Sequence, residues 1–270
     1  MTYDSLERSM QSGAPVELYE FTRGTTVYRY TSADVAQTVG ANSYAVEPLR
    51  RGKIETSAER ARNSLTIECR RNFPIADLFR ISPPSDVIAA VVKRKHRTDG
   101  TIAVIWSGRV LNCSFEGARA SLICEPSSSS LKRPGLRRLY QRGCPHVLYA
   151  QGAGQCNVTR AAHSTTTTVS AVSGLVLSVA ALGAKPWAGG FVEWEESAGS
   201  IERRFISSFS GLDLTLSQAF QGITIGATVT VSPGCDHTSS TCAAVYANLP
   251  NYGGFPFMPD KNPFDGTPVY

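Results

Sequence analysis

Four cysteines are spaced so that they could act together: Cys144 and Cys156 in one pair, Cys235 and Cys242 in another. A thiolate is a soft ligand that selects zinc, copper(I) or iron-sulfur clusters, and four of them suit tetrahedral zinc or a [4Fe-4S] cluster. Structural zinc sites usually draw two ligands from one tight knuckle, two to four residues apart. Spacings of eleven and six intervening residues fit a knuckle poorly. A cluster is larger than one ion and accepts ligands from loops that stand farther apart, so iron-sulfur is favoured and zinc is the alternative.

The other chemical groups are less pointed. Cys69, Cys113 and Cys124 stand among Ile67, Leu111 and Ile123 in strand-rich sequence and read as small apolar core residues. His146 and His237 each follow a candidate ligand by two residues and read as exposed loop imidazoles, with a ligand or supporting role as the alternative. His96 and His163 lie in polar surroundings and read as solvent-facing. A cysteine hydrolase would need Cys144 as nucleophile with His163 or His237 as base. No orienting Asn or Asp is identifiable by spacing for it.

Towards its C-terminus the chain carries Asn251-Tyr252-Gly253-Gly254-Phe255-Pro256-Phe257-Met258-Pro259, after Gly234-Cys235-Asp236 and the pair beginning Gly143-Cys144-Pro145. With Pro48-Leu49-Arg50-Arg51-Gly52-Lys53-Ile54 in the first half, these segments resemble the tail tip and baseplate hub proteins of long-tailed phages and gene transfer agents. That group includes the iron-sulfur tail tip protein of phage lambda. The resemblance implies a virion structural protein, not an enzyme, with a [4Fe-4S] cluster on Cys144, Cys156, Cys235 and Cys242. It also implies a ring of three copies contacting the distal tail protein, the central tip or fibre protein and the end of the tape measure protein. Assembly would take place in the bacterial host cytoplasm.

Composition sets the frame for these sites. The chain has 270 residues, 42% of them hydrophobic and 18% charged, a globular balance. The polar opening Met-Thr-Tyr-Asp-Ser-Leu-Glu-Arg reads as no secretory signal, and the longest apolar run, 169–184, falls short of a bilayer span. Seven cysteines without an export signal point away from a disulfide framework. The net charge of +5 is local: residues 131–142 carry five basic and no acidic side chains, while 143–270 carry five basic and eight acidic. No recognition-helix or aromatic-interleaved pattern for sequence-specific nucleic-acid binding accompanies it. The basic run Lys132, Arg133, Arg137, Arg138 and Arg142 can serve acidic partner surfaces or stay solvated.

The expected fold is mainly β, with two barrel- or sandwich-like domains, few short helices and a cysteine-pinned C-terminal loop region. A hairpin is expected over 13–33, further strands over 44–56 and 63–69, and a helical turn at Phe73–Phe79 opening on Pro74. Three β-rich runs follow at 86–93, 101–115 and 118–125, turning at Arg97–Gly100, with Val104 and Trp106 alternating onto one face. Lys93–Arg97 reads as a charged hairpin end. The Pro126–Ser130 segment marks the boundary, giving an N-terminal domain 1–126, a linker 127–142 and a C-terminal domain 143–270. Strands are expected there over 166–172, 174–178, 190–195, 202–208, 213–216 and 227–231.

Overall fold

The computed structural model describes residues 3–9, 13–55, 64–96, 101–132, 135, 138–197 and 199–259. Two compact units divide the chain: Met1–Arg133 with Glu196–Glu202, and Pro134–Glu195 with Arg203–Tyr270. Glu196–Glu202, expected in the C-terminal domain, groups with the first unit instead, where the buried Arg23 pairs with Glu196 (2.9 Å) and Glu202 (2.5 Å).

The first unit is a nine-stranded sheet. Its strands are β1 (Pro15–Arg23), β2 (Thr26–Thr31), β3 (Gln37–Val39), β4 (Asn42–Val46), β5 (Arg50–Arg51), β6 (Leu65–Arg70), β7 (Ile88–His96), β8 (Ile102–Glu116) and β9 (Arg119–Pro126). They lie in the order β3-β4-β2-β1-β7-β8-β9-β6-β5, antiparallel except where β2 meets β4. β1 and β2 form the expected hairpin, turning on Gly24 at φ 55°. One face carries the core: Phe21, Leu65, Ile67, Ile88, Val92 and Leu122, covered by α2 (Pro74–Asp77) with Ile75 and Ala76 fully buried. Pro74 opens α2 as its sequence position requires, since the first helical amide has no intrahelical acceptor. A short helix, α1 (Tyr3–Glu7), buries Leu6.

The expected alternation in β8 breaks at Ile105. Val92 pairs with Trp106 but Lys93 pairs with Val104, so Ile105 is an extra residue, a bulge that reverses parity. Trp106 is buried and Val104 is 61% exposed, on opposite faces rather than one. A second bulge at Leu111, between Val110↔Cys124 and Asn112↔Ile123, exposes that leucine in turn.

Cys69, Cys113 and Cys124 sit in this core as expected, all buried. Burial pushes their thiols up to about 12, 11 and 12 respectively. His96 is a correction: it is 1% exposed, accepts from Ala14 N on Nδ1 (3.2 Å), and has Nε2 3.3 Å from Glu7. Tyr3 packs edge-on against its ring. The charged run ahead of it is paired too, Lys93 with Glu20 and Arg94 with Glu7 and Glu17. The turn Arg97–Gly100 lies outside the described residues, as does Asn63.

The second unit holds a closed barrel in the order β10-β11-β14-β13-β12-β15. Its strands are β10 (Thr165–Ser173), β11 (Val176–Val179), β12 (Phe191–Ser197), β13 (Ser200–Ser210), β14 (Asp213–Leu216) and β15 (Thr228–Ser232), close to the six expected. The barrel core is Val169, Leu177, Trp187, Val192, Ile206, Leu214 and Val231, with Trp187 Nε1 donating to Gly183 O (2.9 Å). Closure removes free strand edges. Part of the long apolar run 169–184 therefore builds β10 and β11, and no helix among the described residues is long and apolar enough to cross a membrane. Glu193 on β12 is nearly buried and paired with Arg160 (2.7 Å) and Arg203 (2.6 Å). Two further helices, α3 (Arg160–His163) and α4 (Ser239–Ala244), flank the barrel strands in sequence.

Candidate four-cysteine site

All four candidate cysteines line one small cavity of the second unit, of about 20 Å³. His146, Leu148, Val158, Tyr246, Asn248 and Asn251 share the lining. The sulfurs come from separate segments. Cys144 and Cys156 stand in the irregular stretch before α3, Cys235 just beyond β15, and Cys242 in the second turn of α4.

Each segment is held by its own local chemistry. Cys144 N donates to His237 O (2.9 Å), tying the first cysteine to the third. Around Cys156 the chain doubles back through Asn157, whose amide donates to Ala150 O (2.8 Å) and whose Oδ1 accepts from Gly152 N (2.8 Å). The approach to Cys235 is fixed by two phenols: Tyr149 donates to Pro233 O (2.8 Å) and Tyr246 to Gly234 O (2.6 Å). Gly234 itself touches barrel backbone, and a Cβ there would lie 2.5 Å from Gly190 N. Thr238 caps α4 by accepting from Thr241 N (3.2 Å), and Asp236 accepts from Thr238 and Thr241. Those hydrogen bonds overcome burial and hold the Asp236 carboxyl below its ordinary range.

The Gly-Gly of the tail is a steric requirement. A Cβ on Gly253 would lie 2.5 Å from His146 Cε1 and Nε2, and one on Gly254 would collide with Arg142 O. With glycine in place, Gly253 N reaches Cys144 Sγ (3.4 Å), and the Tyr252 hydroxyl donates to Arg142 O (2.6 Å).

Among the described residues, four non-glycine residues have left-handed φ: Tyr149 (66°), Asn157 (58°), His237 (64°) and Ala247 (46°). All four flank the cysteine segments. Such backbone costs about 1–3 kcal/mol per residue and clusters where the chain must place a group against local preference.

Three sulfurs face N–H donors: Gly253 N at Cys144, His237 N at Cys235 (3.3 Å) and Asn248 Nδ2 at Cys156 (3.8 Å). Burial pushes the Cys235 and Cys242 thiols up, and the nearness of the other sulfurs adds to it. Among the described residues no group of three or more His, Cys, Asp or Glu side chains is arranged to hold a metal ion.

Histidine placement divides. His237 is exposed, as expected, whereas His146 is 8% exposed, its Nδ1 3.0 Å from Asn251 O. That burial corrects the reading of His146 as an exposed loop imidazole. His163 is half-buried against Tyr246, and burial lowers its imidazole. The described contact at Cys144 Sγ is the Gly253 amide, not an imidazole from His163 or His237. Sequence reasoning missed Asn248, Asn251 and Gly253. Asn157, which takes left-handed φ, and the Gly-Gly pair, which leaves no room for a side chain, were the available signals. In the basic run, Arg138 donates to Gly154 O and Arg142 to Met258 O (2.8 Å), while Arg133 and Arg137 and the side chain of Lys132 lie outside the described residues.

With this geometry in hand, comparison with known proteins gives three likenesses. The family described as "Phage conserved hypothetical protein BR0599" matches residues 185–262, from the barrel through Cys235 and Cys242 to the tail. An uncharacterized protein of Xylella fastidiosa (strain 9a5c) is 26% identical over 182 residues, covering 62% of this chain and 37% of that protein. The chain thus spans little more than a third of that relative's length. A chain of the solved "Virion of native gene transfer agent (GTA) particle" superposes with a TM-score of 0.76 at 16% identity, over 100% of this chain and 99% of the other. The shared fold therefore runs through both units.

Proposed function

We propose that this chain is a structural hub subunit of a phage-type tail tip or baseplate, resident in the virion, whose C-terminal loops are stapled by a [4Fe-4S] cluster on Cys144, Cys156, Cys235 and Cys242. The observation that carries this reading is the convergence of four cysteines, drawn from separate segments, on one cavity. The phage family match over the last two cysteines and the fold shared with a gene transfer agent virion chain support the structural role.

The donor set fits the group. Four thiolates supply its ligands, and N–H donors aimed at sulfur are the contacts that stabilise such clusters. Tetrahedral zinc at 2.3 Å bond lengths would require sulfurs roughly 3.8 Å apart. The four thiols come from separate segments rather than from one knuckle, which is what favours the larger group here. Bound there, the cluster supplies cross-linking: it joins segments on both sides of the barrel sequence and couples their order to folding. The protein's residues bring four sulfurs together, hold the tail against His146 and shelter the sulfurs among Leu148, Val158 and Tyr246.

A ring of three copies, contacting the distal tail protein, the central tip or fibre protein and the tape measure protein, belongs to the same reading. Negative-stain imaging of particles assembled without this chain tests it. Tails without a tip are expected; complete tails would overturn the hub role. Zinc with no acid-labile sulfide in anaerobically purified protein would replace the cluster by a zinc staple.

A further inference from the structure

Hydrogen bonds through both the backbone carbonyl and the side-chain amide of Asn251 run along the wall of the thiol cavity. His146 Nδ1 faces Asn251 O at 3.0 Å, and because a carbonyl only accepts, Nδ1 carries the proton. Asn251 Nδ2 donates to Asn248 Oδ1 (2.7 Å), and Asn248 Nδ2 donates to Cys156 O (2.5 Å) and reaches Cys156 Sγ (3.8 Å). These acceptors also settle which end of each amide is nitrogen.

The links belong to three chain segments: the Cys144 loop, the Cys156 loop and the turn after α4. Each link is braced. Gly253 leaves no room for the His146 ring to move towards it. Ala247 adopts left-handed φ immediately before Asn248, whose amide donates to Cys242 O (3.0 Å). Asn251 N in turn donates to Asn248 O (3.0 Å). His146 and Asn251 also line a second, open groove with Tyr140, Tyr252 and Phe255, so the same two residues border solvent on one side and the cysteines on the other.

We infer that His146, Asn251 and Asn248 form a positioning relay that fixes Cys156 before any cluster is bound and closes the thiol cavity against the adjoining groove. The inference rests on the four-cysteine site proposed above, but half of it concerns the metal-free chain. A half-buried amide network of this kind favours one arrangement most when every member is satisfied. Loss of the Asn248 amide leaves Cys156 without its tether and its sulfur without a donor. Asn248→Asp keeps the shape and places oxygen against Cys156 O and Sγ, so it is the sharper test.

The full chain is reduced, stripped of metal and labelled with N-ethylmaleimide, and each cysteine is followed by mass spectrometry. Asn248→Ala and Asn248→Asp are expected to speed labelling of Cys156 by about fivefold, the effect of one lost hydrogen bond, with Cys69 unchanged as the folding control. Asn251→Ala removes the middle link without touching Cys156 and serves where Asn248 variants fail to fold. In cluster-loaded protein the same variants should lose iron and sulfide faster in air, and their reduction potential should fall because a donor to sulfur is gone. Unchanged Cys156 labelling and unchanged potential would overturn the relay. If wild-type protein holds no iron or sulfide yet Cys156 labelling still depends on Asn248, the cluster reading fails and the relay stands.

Discussion

Replacing Gly253 by alanine tests how tightly the tail is built onto the cysteine site. Gly253 does not need its conformational freedom, since its φ lies outside the left-handed range; it needs the absence of a side chain. The added methyl would lie 2.5 Å from two atoms of the His146 ring and 3.0 Å from a third, Cδ2. Carbon contacts are comfortable at about 3.5–4.0 Å, so ring or backbone must yield by about 1 Å. The ring cannot yield cheaply, being 8% exposed and tethered to Asn251 O. Overpacking of this kind costs about 1–3 kcal/mol, and backbone movement also draws the Gly253 amide away from Cys144 Sγ. Urea unfolding of the full chain, followed by Trp187 and Trp194 fluorescence in a Trp106→Phe background, reads the cost as a lower midpoint. Gly183→Ala is the control, because a Cβ there meets nothing within 4 Å, and it should stay within about 0.5 kcal/mol. A Gly253→Ala midpoint equal to that of Gly183→Ala would refute the steric argument.

Three other outcomes follow from the geometry. Native labelling at neutral pH should spare Cys69, Cys113 and Cys124, whose burial keeps them as thiols; modification before unfolding would contradict their place in the sheet core. Glu193→Ala removes the nearly buried carboxylate that pairs with both Arg160 and Arg203 and should cost about 1–3 kcal/mol, less than a fully buried pair because both arginines are half exposed; a neutral result in urea unfolding would sink it. Burial raises the Glu17 carboxyl, but hydrogen bonds from Arg51, Arg94 and Tyr19 outweigh it and leave the group below its ordinary 4.5. A depressed folded value means that this stabilisation is fully present above pH 4.5 and drains away as pH falls through the folded value. Thermal melts from pH 7 to pH 3 should show that decline, and Glu17→Gln should flatten it; parallel curves would contradict the assignment.

Much of the fold was legible because its strands obey local rules. The barrel strands alternate or run apolar between Gly turns, and their expected positions lie close to the observed ones. The bulges at Ile105 and Leu111 were not legible, since an extra residue is defined by its partner strand rather than by its own neighbours. His96 and His146 were misread for the same reason. Their burial comes from Glu7 and Tyr3 in one case and from Asn251 and Gly253 in the other, all distant in sequence. Glu196–Glu202 looks like an ordinary hairpin tip until Arg23 is placed beside it. At the cysteine site the thiols announced themselves, whereas the amides that serve them did not. Asn248 and Gly253 acquire meaning only once the tail has folded back.

The most direct test is an assay of iron, acid-labile sulfide and zinc in the full chain purified without oxygen. A [4Fe-4S] cluster on four cysteines predicts about four iron and four sulfide per chain, both lost when Cys156 or Cys235 is replaced by serine. Zinc without sulfide, or four free thiols with no metal in a stably folded chain, would contradict the account.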